Sequence, residues 1–172
     1  MTTTIDKRAN ITLANADLNA DQTSFLERVK DQAHLESLYD AKEITEIVYR
    51  TMRDLMDHNT IEQVASGVDK PASHSSKKQL NDSISDLWQD SNPLVRWLSH
   101  LRPAFNQNGP LGIDDDRFIR RIELEGSLPA SVKPLTAIDA VFAATKAELP
   151  SDIQERVAEY LPGMVRMVWQ NA

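Results

Sequence analysis

Residues 42–56 read KEITEIVYRTMRDLM, and this stretch decides the fold class. The side chains of one face recur every three or four residues over more than three turns: Ile44, Ile47, Val48, Thr51, Met52, Leu55 and Met56. That spacing is the period of an α-helix with one buried face. The opposite face is charged or polar, so the stretch predicts a long amphipathic helix that packs against other elements.

The composition points to an all-α protein. The 172 residues include only five glycines and 6% aromatic residues, which is little for strands and tight turns. There is no cysteine, which excludes disulfide scaffolds, cysteine-ligated zinc, iron–sulfur clusters and thiol nucleophiles.

An internal repeat extends outward from the long helix. With an offset of 93, residues 18–68 align with residues 111–161 and give nine identities in 51 positions. The identical pairs include Phe25 with Phe118 and Arg28 with Arg121. Each copy also closes on a Trp-Gln pair, at Trp88 and at Trp169, where the offset is 81. We interpret this pattern as a tandem duplication whose tryptophans fill the core of each unit.

The change of offset locates an insertion of 12 residues in the first copy. Residues 69–80, DKPASHSSKKQL, are polar and rich in Pro and Ser, as an inserted loop would be. We therefore expect two tandem duplicated helical-bundle units of about four helices each, joined by an extra linker helix. The predicted divisions are a flexible arm (1–17), the first unit with its inserted loop 69–80 (18–90), the linker helix and hinge (91–110) and the second unit (111–172).

Several helix ends can be predicted from capping residues. Asp21 or Thr23 is expected to cap the first helix. Ser151 with Gln154 has the spacing of a capping box for the third helix of the second copy. Pro162 is expected to mark the start of the last helix.

The segments FLERVKDQAHL, KEITEIVYRTMRDLM, RFIRRIELEGSL and AVFAATKAELPSDIQERVAEYLPGMVRMVW resemble a bacterial family of helical, often tandemly repeated domains, domain-of-unknown-function family 2267. Leu149-Pro150 and Leu161-Pro162 fit the leucine-proline steps of that family, whereas the first copy has Met56-Asp57 at the first step. The resemblance implies a helical fold and carries no catalytic or ligand residues.

No constellation for chemistry stands out. Asp54, Asp57 and His58 could face a metal from one helix turn, but the second copy contains no histidine, which excludes a duplicated metal site. The alternative is a solvated helix end where Asp57 or Asn59 caps the next helix. No nucleophile elbow or glycine-rich phosphate loop is present. We therefore assign no catalytic, cofactor-binding or metal-binding residue and expect no cofactor.

The candidate interaction surface consists of Trp97, Arg96, Arg117, Arg120 and Arg121. The last three arginines share one helix face, and Trp97 is the tryptophan without a twin in the repeat. The basic face could bind an acidic partner or the first copy of the same chain. It could equally be a solvated face paired with Asp114, Asp115 and Asp116.

The sequence favours a non-enzymatic protein-interaction or scaffold module that binds an unknown protein partner or itself. A net charge of −7 without a long basic run argues against nucleic acid, and no apolar run is long enough for a membrane span. We expect a cytoplasmic protein, since no secretory signal is visible. The alternative is a small-ligand binder or enzyme with a pocket at the seam between the units, lined by Tyr39, Tyr49, Trp97 or Tyr160.

Overall fold

Helices make up the regular structure of this protein, as a computed structural model shows for residues 23–89 and 113–172. Within these two ranges there are eight helices and no strand, which confirms the predicted all-α class. The first half contains α1 (Phe25–Gln32), α2 (Leu38–Arg53), α3 (His58–Gly67), a 3-10 turn (Lys78–Leu80) and α4 (Ile84–Trp88). The second half contains α5 (Asp115–Glu125), α6 (Pro134–Lys146), α7 (Ser151–Tyr160) and α8 (Gly163–Asn171). None of these helices combines the length and the apolar character that crossing a membrane requires.

The long helix predicted from residues 42–56 is α2. It begins after Ser37, whose side chain accepts from the backbone N–H of Asp40 in a capping box. The apolar face predicted from the spacing is buried, with Ile44 and Val48 fully enclosed. Burial of such side chains contributes about 1.5–3 kcal/mol each, so α2 is a main support of the core.

Two of the predicted helix ends are wrong and one is confirmed. The cap of α1 is Ser24, which forms a capping box with Glu27. The cap of α7 is Pro150, and the amide of Gln154 instead donates to the carbonyl oxygens of Lys146 and Leu149 at 2.9 and 2.8 Å. Gln154 thus satisfies carbonyls that the end of α6 leaves without an intrahelical partner. The last helix does begin after Pro162.

The two halves pack crosswise around one core. Helix α1 of the first half packs on α6 of the second, and α5 of the second half packs on α2 of the first. Helices α2 and α6 also contact each other, as do α3 and α7. The buried apolar side chains of both halves form one continuous cluster. Each half therefore completes the hydrophobic core of the other.

Both aligned tryptophans fill this core, as the sequence predicted. Trp88 is 0% exposed and Trp169 is 2% exposed. The indole N–H of Trp88 donates to the carbonyl of Ile61 at 2.9 Å, and that of Trp169 donates to the carbonyl of Gln154 at 3.0 Å. The two acceptor residues are themselves 93 positions apart, which is the offset of the sequence repeat.

Other local geometry recurs at the same offset. The ring of Tyr49 meets the first tryptophan edge-on with a centroid distance of 5.0 Å, and Phe142 meets the second in the same way at 5.0 Å. His34 and Ser127, which follow the first helix of each half, have φ angles of 56° and 45°. Non-glycine residues rarely adopt this left-handed region. Two such residues at aligned positions indicate the same chain reversal in both halves.

The segment that the sequence analysis assigned to an insertion is tied into the first half. Leu80 is 2% exposed and Ala72 is fully buried. The backbone N–H of Ala72 donates to the carbonyl of Asp82 at 3.1 Å, and that of Ile84 donates to the carbonyl of Lys70 at 2.7 Å. These bonds bring the two ends of the segment together, so that it closes over the first half as a compact loop.

Candidate functional site

The centre of the seam between the halves is filled by side chains. Tyr49 is 0% exposed, and its hydroxyl lies 2.8 Å from the hydroxyl of Thr145. The hydroxyl of Thr145 also donates to the carbonyl of Val141 at 2.6 Å. Burial raises the pKa of Tyr49 far above its usual value, so the phenol stays neutral. This part of the seam is a satisfied polar contact inside a packed core.

Two aligned arginines form ion pairs across the seam. Arg28 contacts Glu148 at 2.5 Å, and Arg121 contacts Asp54 at 2.5 Å. Burial alone would lower the pKa of Arg121, but the hydrogen bond and the charge of Asp54 raise it. Arg121, predicted as part of an interaction surface, therefore joins the second half to the first half of the same chain.

The other four residues of the predicted interaction surface are not part of these ion pairs as described. Arg117 and Arg120 are exposed on α5. Arg96 and Trp97, together with the predicted linker helix, lie outside the described residues. The structure therefore places one of the five predicted residues in an internal contact and two on the exposed face of a single helix.

The tyrosines named for a seam pocket lie apart from one another. Tyr39 is 42% exposed, and its hydroxyl donates to the side-chain oxygen of Gln79 at 3.3 Å. Tyr160 is half-buried at the contact of α3 with α7, and the hydroxyl of Thr60 lies 3.5 Å from its own. Tyr49 is enclosed in the core. These three rings do not line a common cavity.

The side chains of Asp54, Asp57 and His58 are not gathered around a metal position. Asp57 caps α3 and accepts from the backbone N–H of Thr60 at 2.7 Å. Hydrogen bonds from the side chain and the backbone of Thr60 hold the pKa of Asp57 below its usual value. Across residues 23–89 and 113–172, no three His, Asp or Glu side chains are grouped so that they could hold a metal ion.

An open groove does exist where α3 meets α7, which we call the seam groove. It has a volume of about 430 Å³ and is lined by Glu62, Gln63, Ser66, Gly67, Pro150, Asp152 and Ile153. The side-chain oxygen of Gln63 is buried there without a hydrogen-bond partner. A Cβ atom at Gly67 would lie 2.8 Å from the side chain of Leu149, so a larger residue at this position would require that side chain to shift. At the aligned position the second half has Tyr160.

A second groove lies between α6 and α8, and we call it the methionine groove. Its volume is about 450 Å³, and it is lined by Leu135, Thr136, Asp139, Met164, Met167, Val168 and Asn171. Met164 is 45% exposed and Met167 is 60% exposed. Two long apolar side chains of α8 are thus exposed to solvent beside the partly buried Leu135 of α6.

Helix α8 forms one wall of the methionine groove, and hydrogen bonds near its two ends hold it in place. The carboxylate of Asp115 accepts from the backbone N–H groups of Met164 and Val165 at 2.9 Å each. The ammonium group of Lys146 donates to the carbonyl of Trp169 at 2.7 Å. Since Val165 and Trp169 point into the core, the two methionines of α8 point outward.

Sequence reasoning overlooked the methionine groove, although a signal was present. In the last helix Trp169 was assigned to the core, and neither of the two methionines was considered. Met164 and Met167 are three residues apart and therefore share a face of the same helix. A second apolar face on an already anchored helix indicates a surface that is available for contact.

One protein family, described as "Uncharacterized conserved protein (DUF2267)", matches residues 22–168, most of the 172 residues. The chain belongs to the DUF2267 family. No curated protein matches the chain.

Membership of the DUF2267 family confirms the resemblance carried by the helical segments. The leucine-proline steps on which it partly rested have a structural role in this DUF2267 protein. Pro150 stands immediately before α7, and Pro162 stands immediately before α8. Proline lacks a backbone N–H and has a fixed φ, so each step ends one segment and starts the next helix. These steps direct α7 and α8 and thereby position the walls of both grooves.

Proposed function

We propose that this DUF2267 protein is a non-enzymatic protein-interaction module of the bacterial cytoplasm. The observation that carries the proposal is the methionine groove, where Leu135, Met164 and Met167 line an exposed surface. Burying a methionine side chain contributes about 1.5–3 kcal/mol, so covering this surface would stabilise a complex. Unbranched methionine side chains also adapt to the shape of a partner, and such surfaces are common in proteins that bind other proteins.

The centre of the seam, which is filled by side chains, supports the same proposal. Enzymes and small-ligand binders usually concentrate polar groups in an enclosed cleft. Here the central polar contact, from Tyr49 to Thr145, is satisfied internally, and the paired arginines hold the halves together. The exposed Arg117 and Arg120, with Arg96 and Trp97, are proposed as a further contact surface, as is the exposed part of the loop 69–80.

The proposal includes a tandem duplication of the helical unit. Its support is the recurrence, at aligned positions, of ring contacts, indole hydrogen bonds and left-handed residues, together with seam ion pairs formed by two aligned arginines. Such a scaffold carries two related sets of helix faces, and each face can acquire its own contacts.

The test is site-specific photo-crosslinking in the native host. A photoreactive residue is placed at Met167 in the groove and, as a control, at Glu36, which is exposed between α1 and α2. We expect discrete crosslinked proteins from position 167 and not from position 36, identified by mass spectrometry. Identical crosslinking patterns from both positions, or none from position 167, would contradict the assignment of the groove as a contact surface.

The seam groove favours the alternative function, a small-ligand binder. The unpartnered oxygen of Gln63 could accept a hydrogen bond from a ligand, and Glu62 and Asp152 add negative charge. Native mass spectrometry of protein purified from the host tests this alternative. A bound compound that is lost in a Ser66→Trp variant, which fills the groove, would replace the interaction proposal by the ligand proposal.

A further inference from the structure

The first half has a counterpart of the methionine groove, and that counterpart is charged. By the two offsets of the repeat, Leu135 corresponds to Lys42, Asp139 to Glu46 and Met167 to Asp86. At two of these positions a charged side chain of the first half corresponds to an apolar side chain of the second, and at the third position both halves have an acid.

The charged face of the first half is also covered by the chain itself. The ammonium group of Lys42 contacts Asp82 at 2.5 Å and donates to the carbonyl of Gln79 at 2.7 Å. Gln79 belongs to the 3-10 turn that packs against α2. The aligned part of the second half lacks the 12 residues that supply this cover, so its groove is left with an exposed apolar lining.

The second half lacks the cation that pairs with the aligned acid in the first half. Glu46 lies 4.0 Å from Lys42, so the acid of the first half has a cation on its own helix. The second half keeps the acid as Asp139 but has Leu135 at the position of the lysine. Among the described residues Asp139 has no ion pair, and it is the one charged residue that lines the groove.

From this pattern we infer that the methionine groove binds a basic amphipathic segment of a partner protein. Apolar side chains of the segment pack on Leu135, Met164 and Met167, and a Lys or Arg at its edge pairs with Asp139. The inference rests on the proposed interaction function. A second copy of the chain is a poorer occupant, because each copy carries a net charge of −7 and brings another carboxylate to the same place.

Methyl-labelled methionine gives a direct readout of this binding. The full chain has five methionines; of those in the described residues, Met164 and Met167 line the groove, whereas Met52 and Met56 are buried in the core. NMR spectra of the protein labelled with ¹³C at the methionine methyl groups are recorded during titration with three synthetic peptides. One is an amphipathic Leu/Lys helix, one is its Leu/Glu analogue, and one is a scrambled Leu/Lys sequence without an apolar face.

We expect the amphipathic Leu/Lys peptide to shift the signals of Met164 and Met167 and leave those of Met52 and Met56 in place. The Leu/Glu and scrambled peptides should bind at least about tenfold more weakly, because each lacks one of the two complementary features. Asp139→Asn should weaken binding of the basic peptide by about twofold to fivefold, as expected for the loss of an exposed ion pair. Leu135→Lys and Met167→Asp, which introduce the residues of the first half, should abolish binding, whereas Leu124→Ala should leave it unchanged.

Several outcomes would overturn the inference. Equal affinity for the basic and acidic peptides would remove the role of Asp139, and shifts confined to residues outside the groove would place binding elsewhere. Concentration-dependent changes at Met164 and Met167 without any peptide would identify a second copy as the occupant. Crosslinks from position 167 in the host without peptide binding would leave the interaction function intact and refute only the basic segment. Peptide binding without crosslinks would refute the interaction function.

Discussion

At the residue scale, the aligned Arg28 and Arg121 each form an ion pair with the other half of the chain. Arg28 pairs with Glu148, which lies two residues beyond the end of α6. Arg121 pairs with Asp54, which lies directly after the end of α2. Glu148 additionally accepts from the ammonium group of Lys70 at 2.7 Å. Ion pairs of this kind fix the orientation of two packed bodies, even where they add little net stability.

The pKa of Glu148 leads to a prediction on acid stability. Burial raises this pKa, but hydrogen bonds from Lys70 and Arg28 more than offset the effect and lower it. Because the folded-state pKa lies below the unfolded value, the carboxylate stabilises the fold at neutral pH, and this contribution is lost as the pH falls through the folded-state pKa. Glu148→Gln should therefore lower the free energy of unfolding at pH 7 by about 1 kcal/mol, a value reduced by the exposure of Lys70.

Urea denaturation at pH 7, 5 and 3.5 checks this prediction. The difference between wild type and Glu148→Gln should persist at pH 7 and shrink below about pH 4.5, the ordinary value for the group. Glu123→Gln, at an exposed position of α5, serves as the control and should change little at any pH. A difference that stays constant down to pH 3.5 would show that the charge of Glu148 is not responsible.

Residue-level features were the least predictable from the sequence. The predicted caps of α1 and α7 failed because Thr23, Ser24 and Ser151 are all competent capping residues, and sequence alone does not fix where the first turn begins. Gln154 was available for a capping box, but tertiary packing placed its amide over the end of α6 instead. The partners of Arg121 depended in the same way on contacts with the other half.

At the element scale, the loop assigned to residues 69–80 is partly a core element. Leu80 lies in the 3-10 turn and is buried together with Ala72. Leu80→Ala should therefore lower the free energy of unfolding by about 2–5 kcal/mol, as for other buried leucines. Leu124→Ala, at an exposed leucine, should change it by less than about 0.5 kcal/mol.

Chemical denaturation of both leucine variants, followed by circular dichroism, distinguishes a core element from a dispensable loop. If Leu80→Ala were as mild as Leu124→Ala, the segment would be a surface addition without a role in folding. The polar composition of residues 69–80 concealed this role, because two apolar residues eight positions apart in a Ser- and Lys-rich segment show no periodicity. The helices themselves were predictable, since α2 and α5 carry apolar residues at regular spacing.

At the scale of the whole molecule, the crosswise packing predicts a single unfolding transition. Each half supplies the partner surface for the first and second helices of the other, so loss of one half exposes the core of both. Variants that keep only Trp88 or only Trp169, with the other tryptophans changed to Phe, report on one half at a time. In each variant the fluorescence and far-UV circular dichroism midpoints should coincide. A fluorescence transition that precedes the loss of helix would mean that the halves unfold independently.

The sequence predicted the helices and the inward position of the two tryptophans, but not the crosswise arrangement. An amphipathic pattern identifies which face of a helix is buried, and it does not identify the helix that buries it. The pairing of α1 with α6 follows from shape and volume across more than 100 residues of sequence. The methionine groove was not predicted for a related reason. The spacing of Met164 and Met167 places them on one helix face, but it does not show whether another element covers that face.

The crosswise packing also bears on the number of partners that one molecule is expected to bind. A symmetric assembly of two identical units would present every surface twice and would hold together only above some protein concentration. Joining the units in one chain removes that dependence and allows one copy of a surface to change while the other is retained. In this protein the charged face of the first half is covered by the chain, and the aligned face of the second half is the exposed methionine groove. One molecule should therefore bind one basic segment, in a monovalent one-to-one complex.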